Sequence, residues 1–119
     1  MRTFFGGSFI NKEKLEEAGI KHPIKLEYYK QINEDEIISE GKAKYGISIV
    51  KTEYIPNNLK VERKDIKYVT NDEIEENRIL NIFKENQVTI INSEEVILDL
   101  FRNKFFKKEN WNSLFYVIK

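Results

Sequence analysis

Cysteine is absent from this 119-residue chain, and histidine, methionine and tryptophan each occur once. No disulfide, zinc–thiolate site, iron–sulfur cluster or thiol nucleophile can therefore be built from it. The lack also fits a reducing compartment, so a cytoplasmic location is expected. The single imidazole, His22, leaves catalytic triads and His-rich metal sites with at most one ring. It precedes Pro23 at the start of a strand pattern, where a structural or surface role is the simpler reading. No uncharged run approaches the roughly 18 residues of a membrane span, so no membrane partner is expected. The opening MRTFFGGSFIN lacks a small-residue cleavage site and reads as ordered protein, not a signal peptide.

Excess charge of one sign is lacking too: 20 basic and 20 acidic residues cancel. The distribution is less even. Residues 71–101 hold 2 basic and 8 acidic side chains, whereas residues 102–119 hold 5 basic and 1 acidic. Complementarity within one fold explains this most simply; a basic patch for an acidic partner is the sharper alternative. With 40% hydrophobic residues the composition is globular, and one domain over residues 1–119 is expected. A chain of this size can bury a core without a metal or disulfide staple.

Periodicity supplies the elements. Asn11 as N-cap, the staple-spaced Ile10 and Leu15, and Gly19 predict a short helix over residues 12–18. Ile24, Leu26 and Tyr28 alternate with polar neighbours, which predicts a strand over residues 24–32. The acidic stretch 31–41 follows as a linker. Tyr45, Ile47 and Ile49 alternate again, but Val50, Thr52 and Tyr54 take the other parity. A bulge near Ile49–Val50, or cover on both faces, would account for that, and Gly46 is a second place for a kink. The IPNN run predicts a tight reversal, with Pro56 leading and Asn57 or Asn58 left-handed. A hairpin over residues 44–68 results, with a second phase change across Arg63–Asp65. Thr70 and Glu73 have capping-box spacing before a helix bearing Ile79, Leu80 and Phe83. Asn92 or Ser93 opens another, striped by Ile97, Leu98, Leu100, Phe101 and Phe105. Leu114, Tyr116 and Ile118 alternate, which suggests a final strand.

The fold expected is α+β. A three-stranded antiparallel meander, extended by a fourth C-terminal strand if the tail pairs, packs on the short N-terminal helix and a C-terminal helical pair. The expected core is Leu26, Tyr28, Tyr45, Ile47, Ile49, Val61, Ile66, Ile79, Leu80, Phe83, Ile97, Leu98, Phe101 and Phe105.

The search for chemistry is mostly negative. FFGGSF lacks the Lys-Ser/Thr of a P-loop and the spacing of a dinucleotide fingerprint, so it reads as a flexible turn. The carboxylates Asp72, Glu73, Glu75, Glu76, Glu94 and Glu95 sit where a helix dipole favours them, and no stretch has calcium-loop spacing. No enzyme, catalytic residue, metal or cofactor is expected. The basic end is the candidate contact surface. Arg102, Lys104, Lys107 and Lys108 lie among Phe105, Phe106 and Trp111, and cations beside exposed aromatics can hold a single-stranded nucleic acid. Helix-end lysines and a core role for Phe105 explain the same residues without a ligand.

Three segments, IKLEYYK, YGISIVKTEY running into VERKDIKYV, and ILNIFKENQVTIINSEEVILDL, resemble a family of small uncharacterised proteins, a domain of unknown function, from clostridia and their relatives. The resemblance covers about residues 24–100. It implies a small α+β fold and a bacterial cytosolic setting, and carries over no functional residue. Residues 1–19 and the tail after Phe106 look like additions to the family pattern.

A non-enzymatic protein-interaction or regulatory module with a protein partner is therefore the leading expectation. Nucleic-acid binding through residues 102–119 is the alternative. A homodimer through an edge strand or the aromatic tail is also expected as an option, because a small sheet has edges to cover.

Overall fold

The period-two alternation noted above becomes a sheet, and the 3.6-residue stripes become the helices that cover one side of it. The computed structural model describes residues 1–10, 22–33 and 43–104, with the last two of these described for backbone only. The elements in order are β1 (Arg2–Ile10), β2 (Ile24–Ile32), β3 (Tyr45–Ile55), β4 (Asn58–Thr70), α1 (Glu73–Glu85) and α2 (Ser93–Lys104). The architecture is α+β: a four-stranded antiparallel meander in the order β1-β2-β3-β4, followed by two helices. The helix expected over residues 12–18, the acidic stretch after Asn33 and the strand expected at residues 114–118 lie outside the described residues.

Among the described residues the fourth strand is N-terminal, which corrects one expectation. FFGGSF is not a turn; it lies inside β1, paired with β2 from Arg2↔Gln31 to Ile10↔Ile24, with a register shift between Phe4 and Gly6. Aromatics and paired glycines hide the alternation there, and pairing with β2 supplies what local pattern does not. Residues 2–10 form one edge of the sheet.

Gly46, and not Ile49–Val50, is where β3 is irregular. The β3–β4 register is continuous from Ile47↔Ile66 to Ile55↔Asn58 and shifts only between Tyr45 and Ile47. At Gly46 the β4 backbone comes so close that a Cβ would run into the carbonyl oxygens of Ile66 and Lys67. The parity change has another cause: Ser48 is buried on the face away from the helices, where its hydroxyl donates to Asp65 Oδ1 at 2.6 Å. No phase break occurs across Arg63–Asp65 either. Val61 therefore stays on the face away from the helices, opposite Thr52, and is 59% exposed instead of core. The turn is as expected, with Asn57 left-handed at φ 63 after Pro56.

The helix-facing side of the sheet buries Ile24, Leu26, Tyr28, Ile47 and Ile49 against Ile79, Leu80, Ile82 and Phe83 of α1 and Val96, Ile97 and Leu100 of α2. Asp72, not Thr70, caps α1: its side chain accepts from the Ile74 N–H at 2.9 Å, while Thr70 Oγ1 accepts from the Asp72 N–H. The Tyr28 hydroxyl donates to the Val88 carbonyl at 2.8 Å, fixing the α1–α2 connection to the middle of β2. Glu73 and Glu76 at the start of α1 approach Lys30, whereas Gln87 just past its end reaches Ser8 of β1. The chain then returns to β4, where Glu94 of α2 meets Lys64.

Candidate functional site

Among the described residues, no group of three or more His, Asp or Glu is placed to hold a metal ion, and no helix is long and apolar enough to cross a membrane. The most perturbed carboxylate is Glu76. It is fully buried, and neither carboxylate oxygen has a hydrogen-bond partner. Lys30 Nζ stands 4.0 Å from Oε1. Burial pushes the carboxyl up to about 7, and the Lys30 charge offsets this only in part. Glu73, whose Oε1 stands 3.7 Å from the same Lys30 ammonium, adds to the rise.

The basic end is only partly in view. Arg102 projects from α2 and pairs with Asp99 at 3.6 Å, one turn back. The Lys104 backbone closes α2, and its side chain, with Lys107, Lys108 and Trp111, lies outside the described residues. Arg102 is thus the one member of the expected set whose side chain is placed, and it is engaged within its own helix.

A groove the sequence did not announce lies between β4 and α2. Ile66, Tyr68, Glu94, Ile97, Leu98 and Phe101 line an open cleft of about 330 Å3. Its floor is apolar, and the Lys64–Glu94 ion pair, 2.8 Å, stands at one end. β4 is the edge of the sheet, with no strand beyond it among the described residues. From Lys60 to Asp65 that edge carries five charged side chains, which discourage strand pairing. Beside the groove the sequence turns apolar, with Ile66, Tyr68 and Val69 interrupted only by Lys67. The Lys67 carbonyl there already accepts from Asn33 Nδ2 at 2.8 Å; an outer strand beside an apolar channel is an arrangement that can receive an added segment.

Leu98 shows why this was missed. It was expected in the core with Ile97 and Phe101, yet it is 59% exposed on the groove wall. The signal was the width of the stripe: five apolar residues among positions 97–105 are more than one buried helix face takes up. The surplus faces the channel.

The sheet face away from the helices is the other open surface. Phe9 stacks on Tyr54 at 6.2 Å, Phe4 meets Tyr29 edge-on at 5.5 Å, and Arg2 lies 4.7 Å over the Tyr29 ring. Leu59 and Val61 are exposed beside them. A polar cluster interrupts this face. Arg63 grips Asp65 with two hydrogen bonds, 2.9 and 2.8 Å, and Ser48 joins from β3. Arg63 accordingly holds the Asp65 carboxyl below its usual range. The apolar residues are split into separate groups and make no continuous channel.

No family model, curated protein or solved structure matches the chain.

Proposed function

We propose that this chain is a non-catalytic protein-interaction module that receives an extended segment of another protein as an added strand on β4. One observation carries the reading: the outer strand β4, with no strand beyond it among the described residues, runs beside the apolar groove walled by Leu98 and Phe101 of α2. Backbone N–H and C=O groups of β4 would bind the segment whatever its sequence. The groove would then select apolar side chains at every second position, because alternate residues of a strand point the same way.

A photo-cross-linking residue in place of Tyr68, in the full chain expressed in its source cells, tests this. The expected adducts map to one extended segment of a second protein with alternating apolar residues. They are lost when Leu98→Glu is added, a change at an exposed position that leaves the core intact. Adducts to nucleic acid, adducts indifferent to Leu98→Glu, or none to another protein contradict the proposal.

A further inference from the structure

We propose that β1 pairs with itself: two copies of this chain join antiparallel through residues 6–10, with Ser8 opposite the second copy's Ser8. The surface is the sheet edge opposite β4, so the pairing does not depend on the β4–α2 groove.

Charge is the first argument. Among the described residues the sheet has two edges, β1 and β4. Lys60, Glu62, Arg63, Lys64, Asp65 and Lys67 stud β4, and charge on an edge discourages pairing. In β1 only Arg2 is charged. A two-fold interface sets each strand against its own copy, and this one opposes no like charges. The register shift between Phe4 and Gly6 leaves residues 6–10 regular.

The backbone groups that face outward follow from the pairing. Met1 and Ile32 exchange both backbone hydrogen bonds, at 2.9 and 2.8 Å. On the other side of β2, the Pro23 carbonyl accepts from the Tyr54 N–H, and the Asn33 N–H donates to Lys44. Even-numbered residues of β2 thus bond to β1, and odd-numbered ones to β3. Ser8 and Ile10, opposite Leu26 and Ile24, turn their backbone groups to β2. Gly7 and Phe9, opposite Glu27 and Lys25, turn theirs outward. With Ser8 on the two-fold axis, Gly7 of each copy meets Phe9 of the other, and the two pairs exchange N–H to C=O bonds. A register centred on Gly7 would set Phe9 against the irregular stretch at Phe5. One centred on Phe9 would use only residues 8–10.

Side chains fit the same register. Phe9, 64% exposed, lies opposite a glycine of the second copy, and so does Ile10, opposite Gly6. On the face away from the helices Phe9 stacks on Tyr54 at 6.2 Å. Diagonal neighbours across antiparallel strands lie about 7–8 Å apart, within reach of aromatic rings. The two Phe9 rings become such neighbours, and the stack continues across the axis as a row of four rings.

The lack of cysteine makes the test direct, because a single introduced cysteine can cross-link only to a second copy. Opposed residues of a pair without mutual hydrogen bonds bring their Cβ atoms close to disulfide range. In the purified full chain with a thiol oxidant, Ser8→Cys should form linked dimer roughly tenfold faster than Thr3→Cys or Val61→Cys. Thr3 is exposed on the same strand but would lie roughly 30 Å from its copy in this register. Val61 is exposed on β4. Ser8→Cys no faster than Thr3→Cys overturns the proposal, and so does Val61→Cys fastest, which would move the second copy to β4.

A second measurement avoids cysteine. In sedimentation velocity the parent should populate a dimer as its concentration rises. Phe9→Lys, which sets like charges beside the axis at an exposed position, should weaken that dimer at least tenfold with circular dichroism unchanged. Thr3→Lys, outside the paired stretch, should leave it as it is. A parent still monomeric at millimolar concentration, or a dimer that both lysines weaken equally or neither weakens, overturns the proposal.

Discussion

Glu94 Oε1 lies 2.8 Å from Lys64 Nζ, tying the first turn of α2 to the middle of β4. Both side chains keep contact with water, Lys64 at 32% and Glu94 at 63% exposure, so the pair is screened. Glu94→Ala should cost less than about 1 kcal/mol in urea unfolding, and the difference should shrink at high salt. A larger, salt-insensitive loss would mean that α2 depends on this contact for its place.

Glu76 gives stability a definite pH dependence. Its carboxyl sits at about 7 in the folded chain against an ordinary 4.5, so between those values the folded chain holds a proton that the unfolded chain has lost. Its contribution is fully present below about pH 4.5, falls as pH rises towards 7, and is then constant. Glu76→Gln removes that slope. Relative to the parent, the variant should gain on the order of 3 kcal/mol between pH 4.5 and 7.5, read from paired urea titrations. A parallel pH dependence in the two proteins would show that the buried carboxyl is not protonated.

Tyr28→Phe deletes the hydroxyl that meets the Val88 carbonyl and leaves the ring packed edge-on against Phe83. Both the site and the carbonyl are buried, so the orphaned acceptor should cost about 1–3 kcal/mol. Amide exchange in the α1–α2 connection should rise with it. Wild-type stability in this variant would show that Val88 finds another donor.

Gly46→Ala should be far worse. The added methyl would meet backbone carbonyls of β4, not the yielding end of a side chain. The two strands cannot part without breaking the register beside Ile47. A loss of several kcal/mol, or failure to fold, is expected, and Gly7→Ala on β1 provides a milder comparison. Alanine tolerated at 46 would contradict the close approach.

Much of this fold is legible in the sequence because local pattern and tertiary role coincide. Ile24, Leu26 and Tyr28 alternate and are buried, and Pro56-Asn57 turns where a proline and a left-handed residue should. Legibility fails where a contact distant in sequence decides. β1 is a strand because β2 pairs with it, and its glycines and aromatics carry no clear period. Val61 and Leu98 are apolar in apolar stretches, yet strand parity and the lateral position of α2 turn them outward. The groove was invisible for the same reason: it exists only because β4 is the sheet edge and α2 stands beside it. The Lys107, Lys108 and Trp111 cluster drew attention through composition, whereas the groove required topology.

The central proposal is that the β4–α2 groove receives an extended segment of another protein, and photo-cross-linking from position 68 of the full chain in its source cells tests it most directly, with Leu98→Glu as the comparison. Leu98 is an exposed groove wall, so a glutamate there expels an apolar strand without disturbing Leu26, Tyr28, Ile47 or Ile49. Adducts to one extended, alternately apolar segment of a second protein that are lost in the variant are the predicted result. Adducts unchanged by the variant, or none to another protein, would contradict it.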